Sequence, residues 1–445
     1  MLRRALPLAL AALAALPALA VAQSPFCVER TSADGLAMKP GPPLRMGIAP
    51  AGEAGALGPS VPVTPIDRDK TIAALDQLRP AGAPFVLRLN RLFWADGDAG
   101  IARFKALTDL YTSHGFPVEI QVRYHPDAAH DGDVDGFLGF VRQVVDTFGP
   151  NPWVVGLQVT NEVNFSISPD SSDGAFKSAK DALIRGVIAA KDEAVKKGFG
   201  QLTIGFNWFY RTDPASETQF WTYLGDHGGK AFLAALDWVG LDIYPGTVFP
   251  PTEPPGGHRD AIVAGLSALR DCFLPLAHVP ASVPIHIEEN GWPTGPGRTE
   301  DNQVANMKLM VDAVNDFRGT YNVTDYRWFD LRDHNTSSTN FQHHYGLLND
   351  DYTPKPAFAT YRQLVAQDTL RPGPARLTIH ATRVGRRCAI AASMTGPDAG
   401  AVRRADITAV AGHRLRATLA LADGRVVSLG RASPRLCRGR RLRFA

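Results

Sequence analysis

The sequence contains few cysteines and, after its first 22 residues, no long apolar run. Only four of its 445 residues are cysteine (Cys27, Cys272, Cys388 and Cys437), and no two of them lie close together in the chain. This spacing argues against a zinc site, whose ligands usually come in closely spaced pairs. No later segment approaches the roughly 18 to 20 apolar residues that cross a bilayer, so the sequence predicts no transmembrane segment.

The first 22 residues have a different composition. Arg3 and Arg4 precede a stretch rich in alanine and leucine, which ends in Ala-Val-Ala at 20–22 before Gln23. A basic start, an apolar centre and a small-residue cleavage site are typical of a secretory signal peptide. We therefore expect residues 1–22 to be removed and the remaining chain to be secreted, to an extracellular or periplasmic space. In such an oxidising compartment four cysteines would form two disulfide bonds, with three connectivities open.

A glycine-rich phosphate turn is also missing. The segment "GIAPAGEAGALG" after the first candidate strand lacks the G-x-G-x-x-G spacing, which argues against a doubly wound dinucleotide fold. Residues 23–370 instead alternate helical segments with eight candidate strands, at 44–50, 85–94, 118–126, 153–162, 202–209, 236–246, 284–291 and 326–333. Eight strand-helix units predict an α/β fold, the (β/α)8 TIM barrel, which takes about 250 residues plus loop insertions.

Polar and aromatic residues gather at the ends of these strands, where barrels build their active sites. The set comprises Arg88, Trp94, Tyr124, His125, Asn161, Glu162, Asn207, Trp208, Asp242, Tyr244, Glu288, Glu289, Trp292, Trp328, Asp333 and His334. Polar groups interleaved with aromatic rings are typical of a sugar-binding cleft, because a pyranose presents an apolar face and a belt of hydroxyls. Glu162 and Glu289, at the ends of strands four and seven, would face each other across the barrel mouth. Glycoside hydrolysis requires such a pair, since one carboxyl protonates the leaving oxygen and the other attacks or activates water.

Three segments carry a family resemblance. "TNE" at 160–162 and "ENGWPTG" at 289–295 resemble the acid/base and nucleophile signatures of the retaining clan A glycoside hydrolases. The second motif is similar to the "ESGWPS" of plant-type endo-β-1,3-glucanases, and "YGLLNDDYTPKPAF" at 345–358 resembles the closing helix of many bacterial members. The resemblance covers roughly residues 44–366 and implies a β-glucan as the first substrate to consider.

The resemblance also implies roles for individual residues. Glu162 would be the general acid/base and Glu289 the nucleophile. The substrate-binding set would be Asn161, which donates to the sugar 2-hydroxyl, Arg88 and Tyr244, which hold Glu289, Trp328, which forms a platform under the sugar, and His125, Asn207 and Trp292 at the rim. No metal and no cofactor is expected, and the partner would be an oligo- or polysaccharide.

Two adjacent glutamates end strand seven, and strand periodicity separates them. Ile285, Ile287 and Glu289 share one side of a regular strand, so Glu288 should point the other way. The sequence therefore predicts that Glu288 forms a salt bridge behind the barrel wall.

Two other functions use the same residues. A transglycosylase would pass the glycosyl-enzyme to another sugar instead of to water, and the acceptor side of the cleft would distinguish it. A non-catalytic carbohydrate-binding barrel belongs to a different class, and the presence of both glutamates with their supports argues against it.

Lysine is absent from the last 75 residues, which contain 16 arginines and three aspartates, a net charge of +13. Because the whole chain has 47 basic and 44 acidic residues, residues 1–370 carry −10. This break, beside the Pro- and Gly-containing "RPGPARL", predicts a domain boundary near residue 370.

Short alternating apolar runs in residues 371–445 predict a small all-β C-terminal module. Cys388 and Cys437 would link its first and last strands, which leaves Cys27 and Cys272 to pair across the barrel. Its arginines would bind an anionic cell-envelope polymer, or else pair with the acidic barrel; nucleic acid is not an expected partner of an exported protein.

Overall fold

A computed structural model describes residues 30–39, 41–50, 62–80, 83–211 and 213–369, together with the backbone of six strand segments between 376 and 444. Residues 1–22, the predicted signal peptide, lie outside the described residues. Within the described part, no helix is both long and apolar enough to cross a membrane.

Eight parallel strands close into a barrel in sequence order, and the first strand pairs with the eighth. The strands are β1 Arg45–Ile48, β2 Val86–Phe93, β3 Val118–Arg123, β4 Val154–Val159, β5 Thr203–Phe209, β6 Trp238–Ile243, β7 Ile285–Asn290 and β8 Val323–Trp328. The predicted (β/α)8 barrel is confirmed. Four strands stop three or more residues before their predicted ends: β3 at Arg123, β4 at Val159, β6 at Ile243 and β8 at Trp328. Residues 124–126, 160–162, 244–246 and 329–333 therefore follow the strands, and β8 begins at Val323, before its predicted start.

Helices follow the strands around the outside of the barrel. They are α1 Arg68–Leu78, α2 Gly97–Ser113, α3 Val134–Phe148, α4 Ala179–Lys197, α5 Pro214–Ala235, α6 Gly257–Ser267, α7 Leu274–Leu276, α8 Glu300–Tyr321 and α9 Pro356–Thr369. Short polar side chains start several of them: Asp133 accepts a hydrogen bond from the Gly136 amide at the start of α3, and Thr299 accepts from the Asn302 amide at the start of α8. The apolar faces pack against the outer faces of the strands, as Trp328 of β8 does against Tyr361 of α9.

The interior of the barrel holds a layer of charged side chains below the cleft. Arg327 of β8 contacts Glu119 of β3 at 3.5 Å, and Arg88 of β2 contacts Glu288 of β7 at 3.3 Å. Contacts between strands that are not neighbours in the sheet must cross the interior. Gly240 provides space there, because a Cβ atom at this position would lie 2.8 Å from the Glu288 Cγ.

The C-terminal strand segments form two antiparallel three-stranded sheets, in the orders β10-β9-β14 and β11-β12-β13. The segments are β9 Arg376–Val384, β10 Arg387–Thr395, β11 Val402–Val410, β12 Arg414–Leu421, β13 Val426–Ala432 and β14 Arg441–Phe444. Their side chains lie outside the description, so the domain boundary at 370 and the predicted module stay predictions. Cys272 is buried and is not a free thiol. The side chains of the other three cysteines also lie outside the description, so both disulfide pairings stay predictions.

Candidate active site

Glu162 and Glu289 lie in one cleft at the C-terminal end of the barrel. Glu162 follows β4, Glu289 lies near the end of β7, and their exposed fractions are only 5% and 8%. The cleft has a volume of about 190 Å³. Its lining comprises Asn90, Arg91, Gln121, Arg123, Asn161, Glu162, Phe165, Ser168, Ser171, Phe209, Tyr244, Val248, Glu289, Phe329, Gln342 and Tyr345. The structure thus brings together the two glutamates that the sequence placed at different strand ends.

The chain turns sharply where it presents Glu162. Thr160 and Glu162 both have positive φ, 65° and 47°, a region that non-glycine residues rarely occupy. The Glu162 amide donates to Asn207 Oδ1 at 2.9 Å, and the Asn161 amide donates to Asp173 Oδ2 at 2.9 Å. Hydrogen bonds to neighbouring elements therefore hold the backbone in an unfavourable conformation, as is common at functional sites.

Glu289 is held by two donors, one on each carboxylate oxygen. Arg88 Nη1 donates to Oε1 at 2.6 Å, and the Tyr244 hydroxyl donates to Oε2 at 2.7 Å. Burial raises the pKa of Tyr244 well above its usual value, and the Glu289 carboxylate raises it further, so the phenol stays a donor. Arg88 is itself fixed by Gln158 Oε1, at 2.7 Å from Nη2. This arrangement suits an ionised, oriented carboxylate.

Glu162 has the opposite environment. Burial raises its pKa to about 8, and the Glu289 carboxylate contributes in the same direction. Arg123, a hydrogen bond with Asp242, and Arg88 oppose this shift. At neutral pH, Glu162 is therefore mostly protonated and can give up a proton.

β7 does not keep regular alternation to its end. The register between β7 and β8 shifts between Ile287 and Asn290. The register between β7 and β6 shifts between Leu241 and Asp242 of β6. Glu288 consequently points into the barrel interior, where it contacts Arg88 at 3.3 Å and His286 Nδ1 at 3.1 Å. Glu288 therefore forms the predicted salt bridge inside the barrel, and its predicted place behind the barrel wall is wrong. The register shift near the end of β7 lets both Glu288 and Glu289 reach Arg88.

Asn161 and Asn207 connect the strands under the cleft. Asn161 Oδ1 accepts from Gln121 Nε2 and Asn207 Nδ2, both at 2.7 Å, and its own Nδ2 donates to the Ser171 carbonyl. Asn161 lines the cleft, whereas Asn207 is fully buried. Asn207 thus lies beneath the site as a support, below the reach of a substrate.

The cleft is lined by phenylalanine and tyrosine, and the predicted tryptophans lie elsewhere. Trp328 and Trp208 are fully buried, and Trp292 is 5% exposed in the same core cluster. Because Arg327 points into the barrel, its neighbour Trp328 points outward to α9, so a platform role does not fit its position. The apolar surface of the cleft comes instead from Phe165, Phe209, Tyr244, Phe329 and Tyr345.

His125 also lies away from the two glutamates. It follows the end of β3 and packs between Phe93 and Phe176, with ring centroids 4.6 and 4.8 Å away. Burial lowers its pKa to about 4, so the imidazole is neutral, and it does not belong to the lining of the cleft. The predicted substrate contact does not fit this position.

The sequence analysis did not place Gln121, Arg123 and Gln158 in the site, and it placed Asp242 at a strand end without giving it a role. All four lie on barrel strands at the level of the cleft or just below it, and Gln121 and Arg123 line the cleft itself. The signal was alternation: Gln121 and Arg123 are separated by the apolar Val122, and Asp242 precedes Tyr244 by two residues. Polar residues at every second position of a barrel strand indicate its inner face.

Three carboxyl groups converge on the cleft. One oxygen each of Glu162, Asp242 and Glu289 lies within 4.8 Å of the others, a spacing that could also suit a cation. However, Arg88 and Tyr244 already occupy both oxygens of Glu289. This favours a set of hydrogen-bonded carboxyl groups over a set of metal ligands.

The fold is similar to that of solved glycoside hydrolases. The GH5_18 protein from Streptomyces cattleya, solved with GlcNAc, matches 81% of this chain and 87% of its own at 15% identity and a TM-score of 0.52. A variant of GH5_18 from the same organism, solved with Manβ1-4GlcNAc, matches 69% of this chain and 78% of its own at 18% identity and a TM-score of 0.51. At these identities the likeness shows the barrel fold alone. No protein-family model and no curated protein matches the sequence.

Proposed function

We propose that this protein is a glycoside hydrolase that cleaves β-linked glycans with retention of anomeric configuration. The observation that supports this most is the pairing, in one cleft, of Glu162, whose pKa is raised by burial, with Glu289, whose two oxygens accept hydrogen bonds from Arg88 and Tyr244. The oxygens of the two glutamates approach within 4.8 Å. Retaining enzymes separate these carboxyl groups by about 5 to 5.5 Å and inverting enzymes by about 6.5 to 9.5 Å, so the short separation favours retention.

The reaction would proceed in two steps. Glu289 attacks the anomeric carbon while Glu162 gives its proton to the leaving oxygen, so that a glycosyl-enzyme bond forms as the glycosidic bond breaks. Water then attacks the same carbon, Glu162 takes its proton, and Glu289 leaves as a carboxylate. Arg88 and Tyr244 orient Glu289 for both steps.

A β-glucan is the first substrate that we propose to test. This choice rests on the "ENGWPTG" motif, with Glu289 as its first residue, and on the aromatic lining of the cleft. Transfer to a sugar acceptor would use the same residues and is measured in the same assay as a longer product. Export through residues 1–22 belongs to the proposal as well.

The experiment is NMR of the first product formed from a panel of β-glucans and aryl β-glycosides. We expect the β anomer to appear first and to mutarotate later, whereas an initial α anomer would exclude the double-displacement mechanism. The Glu289→Gln protein, purified in the same way, controls for contaminating hydrolases and should be inactive.

A further inference from the structure

Asp242 of β6 is a buried carboxyl group with no role in the mechanism above. It is 0% exposed, and its Oδ2 accepts a hydrogen bond from Asn207 Nδ2. Its Oδ1 is buried, and no donor among the described residues reaches it. A buried carboxylate oxygen without a donor is costly, so this atom calls for an explanation.

The group that faces Asp242 is the carboxyl of Glu162, and one oxygen of each lies within 4.8 Å of the other. A hydrogen bond between the two carboxyls contributes to the pKa of Glu162. Two carboxylates cannot bond to each other, because both would be acceptors. A hydrogen bond between them therefore requires a proton on one of the two, and a proton on Asp242 Oδ1 would explain why this buried atom has no donor.

We propose that Asp242 is a protonated third carboxyl of the active site, which donates a hydrogen bond to Glu162 and positions it as the acid/base. This inference rests on the proposed function for the role of Glu162. Asp242 is a positioning residue, since it acts through Glu162 and does not line the cleft.

The surroundings of the pair decide which carboxyl keeps its proton. Burial raises the pKa of Asp242 well above its usual value, and the Glu289 carboxylate adds to this. Arg88 of β2 opposes the shift, while Glu162 of β4 and Glu288 of β7 reinforce it. For Glu162, the bond from Asp242 lowers the pKa, as do Arg123 and Arg88, although burial and Glu289 keep it raised.

This assignment gives Asp242 a constant state during turnover. When Glu162 passes its proton to the leaving oxygen, the carboxylate that remains still accepts the hydrogen bond of Asp242. When water attacks, Glu162 regains a proton and Asp242 keeps its own. Asp242 would thus stabilise the anionic form of Glu162, which both steps create or use.

The test compares Asp242→Ala with Asp242→Asn. An asparagine can accept from Asn207 with its oxygen and donate to Glu162 with its nitrogen, whereas alanine removes the donor. For an aryl β-glycoside with a poor leaving group, we expect Asp242→Ala to lose about tenfold or more in kcat/KM, typical of a lost hydrogen bond to a charged group. The alkaline limb of the pH–activity profile of Asp242→Ala should also move to higher pH. Asp242→Asn should restore most of this activity and keep the wild-type limb.

The opposite result would overturn the proposal. If Asp242 were ionised, Asp242→Asn would remove a negative charge beside Glu162 and move the alkaline limb to lower pH. Asp146→Asn, a half-exposed position on α3, makes the same chemical change far from the cleft and serves as the control.

A second measurement requires no turnover. Infrared difference spectra of the resting enzyme at neutral pH should contain a protonated carboxyl band that disappears in Asp242→Asn and a separate one that disappears in Glu162→Gln. Absence of the first band would refute a protonated Asp242 even in an active enzyme. Its presence in an inactive protein would instead count against the proposed function alone.

Discussion

At the residue scale, one side-chain type has two opposite roles because its neighbours differ. Glu289 receives hydrogen bonds from Arg88 and Tyr244, which favour the charged form. Glu162 lies beside another carboxylate in a buried position, which favours the neutral form. A sequence shows two glutamates at two strand ends, but the assignment of acid and nucleophile depends on these contacts.

Replacement of each glutamate by alanine should separate the two roles. Glu289→Ala should abolish turnover, and azide should restore it as an α-glycosyl azide, because azide then attacks from the face that the nucleophile has vacated. Glu162→Ala should still form the glycosyl-enzyme from substrates with good leaving groups, and azide should release a β-glycosyl azide. NMR of the azide products provides the measurement.

Exchanged stereochemistry in the two variants would reverse the assigned roles. Glu300→Ala is a suitable control, because Glu300 is an exposed residue in the first turn of α8, away from the cleft lining. Azide should leave its product unchanged.

The sequence predicted Glu162, Glu289, Arg88 and Tyr244 because charge and polarity at a strand end are local features. It did not place the aromatic surface correctly. Trp328 was assigned to the cleft on its position near a strand end, although inward Arg327 requires it to face outward. Phe165 and Tyr345, which do line the cleft, come from loops whose path no local pattern records.

At the element scale, the important feature is the irregular end of β7. Strand periodicity separates Glu288 from Glu289 correctly only while the pairing is regular, and here the register with both neighbouring strands shifts. The sequence could not show this, because a bulge depends on the partner strands. As a result, one guanidinium, that of Arg88, contacts Glu289 in the cleft and Glu288 below it.

The two glutamates of β7 should respond differently to the same substitution. Glu289→Gln should abolish kcat, since the amide cannot attack the anomeric carbon. Glu288→Gln removes a buried negative charge beside Arg88, so we expect the free energy of unfolding to fall by about 1 to 3 kcal/mol while kcat falls less than about tenfold. Denaturant unfolding and steady-state kinetics measure the two effects.

A Glu288→Gln enzyme as inactive as Glu289→Gln would show that Glu288 takes part in the chemistry. Equal destabilisation by both substitutions would show that the buried charges contribute alike to the fold. The pair forms its own matched control, because the two positions are adjacent and the change is identical.

At the scale of the whole molecule, the charges divide between the two parts of the chain. Residues 371–445 carry +13 and residues 1–370 carry −10. The barrel fold was predictable because it follows from eight repeats of strand and helix, but the function of a basic extension does not follow from its composition. Arginine binds carboxylate and phosphate through a planar fork, so both an external polymer and the acidic barrel are possible partners.

Deletion of residues 371–445 should distinguish these partners. If the arginines bind an anionic envelope polymer, the shortened protein should hydrolyse small soluble substrates almost as fast as the full chain but should no longer sediment with cell-wall material. Retention of the full chain should fall steeply between 0.01 and 0.1 M salt, because the Debye length shrinks from about 30 Å to about 10 Å. Full-length Glu289→Gln, which cannot digest the polymer, should be retained like the wild type. Salt-independent retention would exclude an anchor that acts through charge, and a shortened protein that fails to fold would show that the basic segment stabilises the barrel.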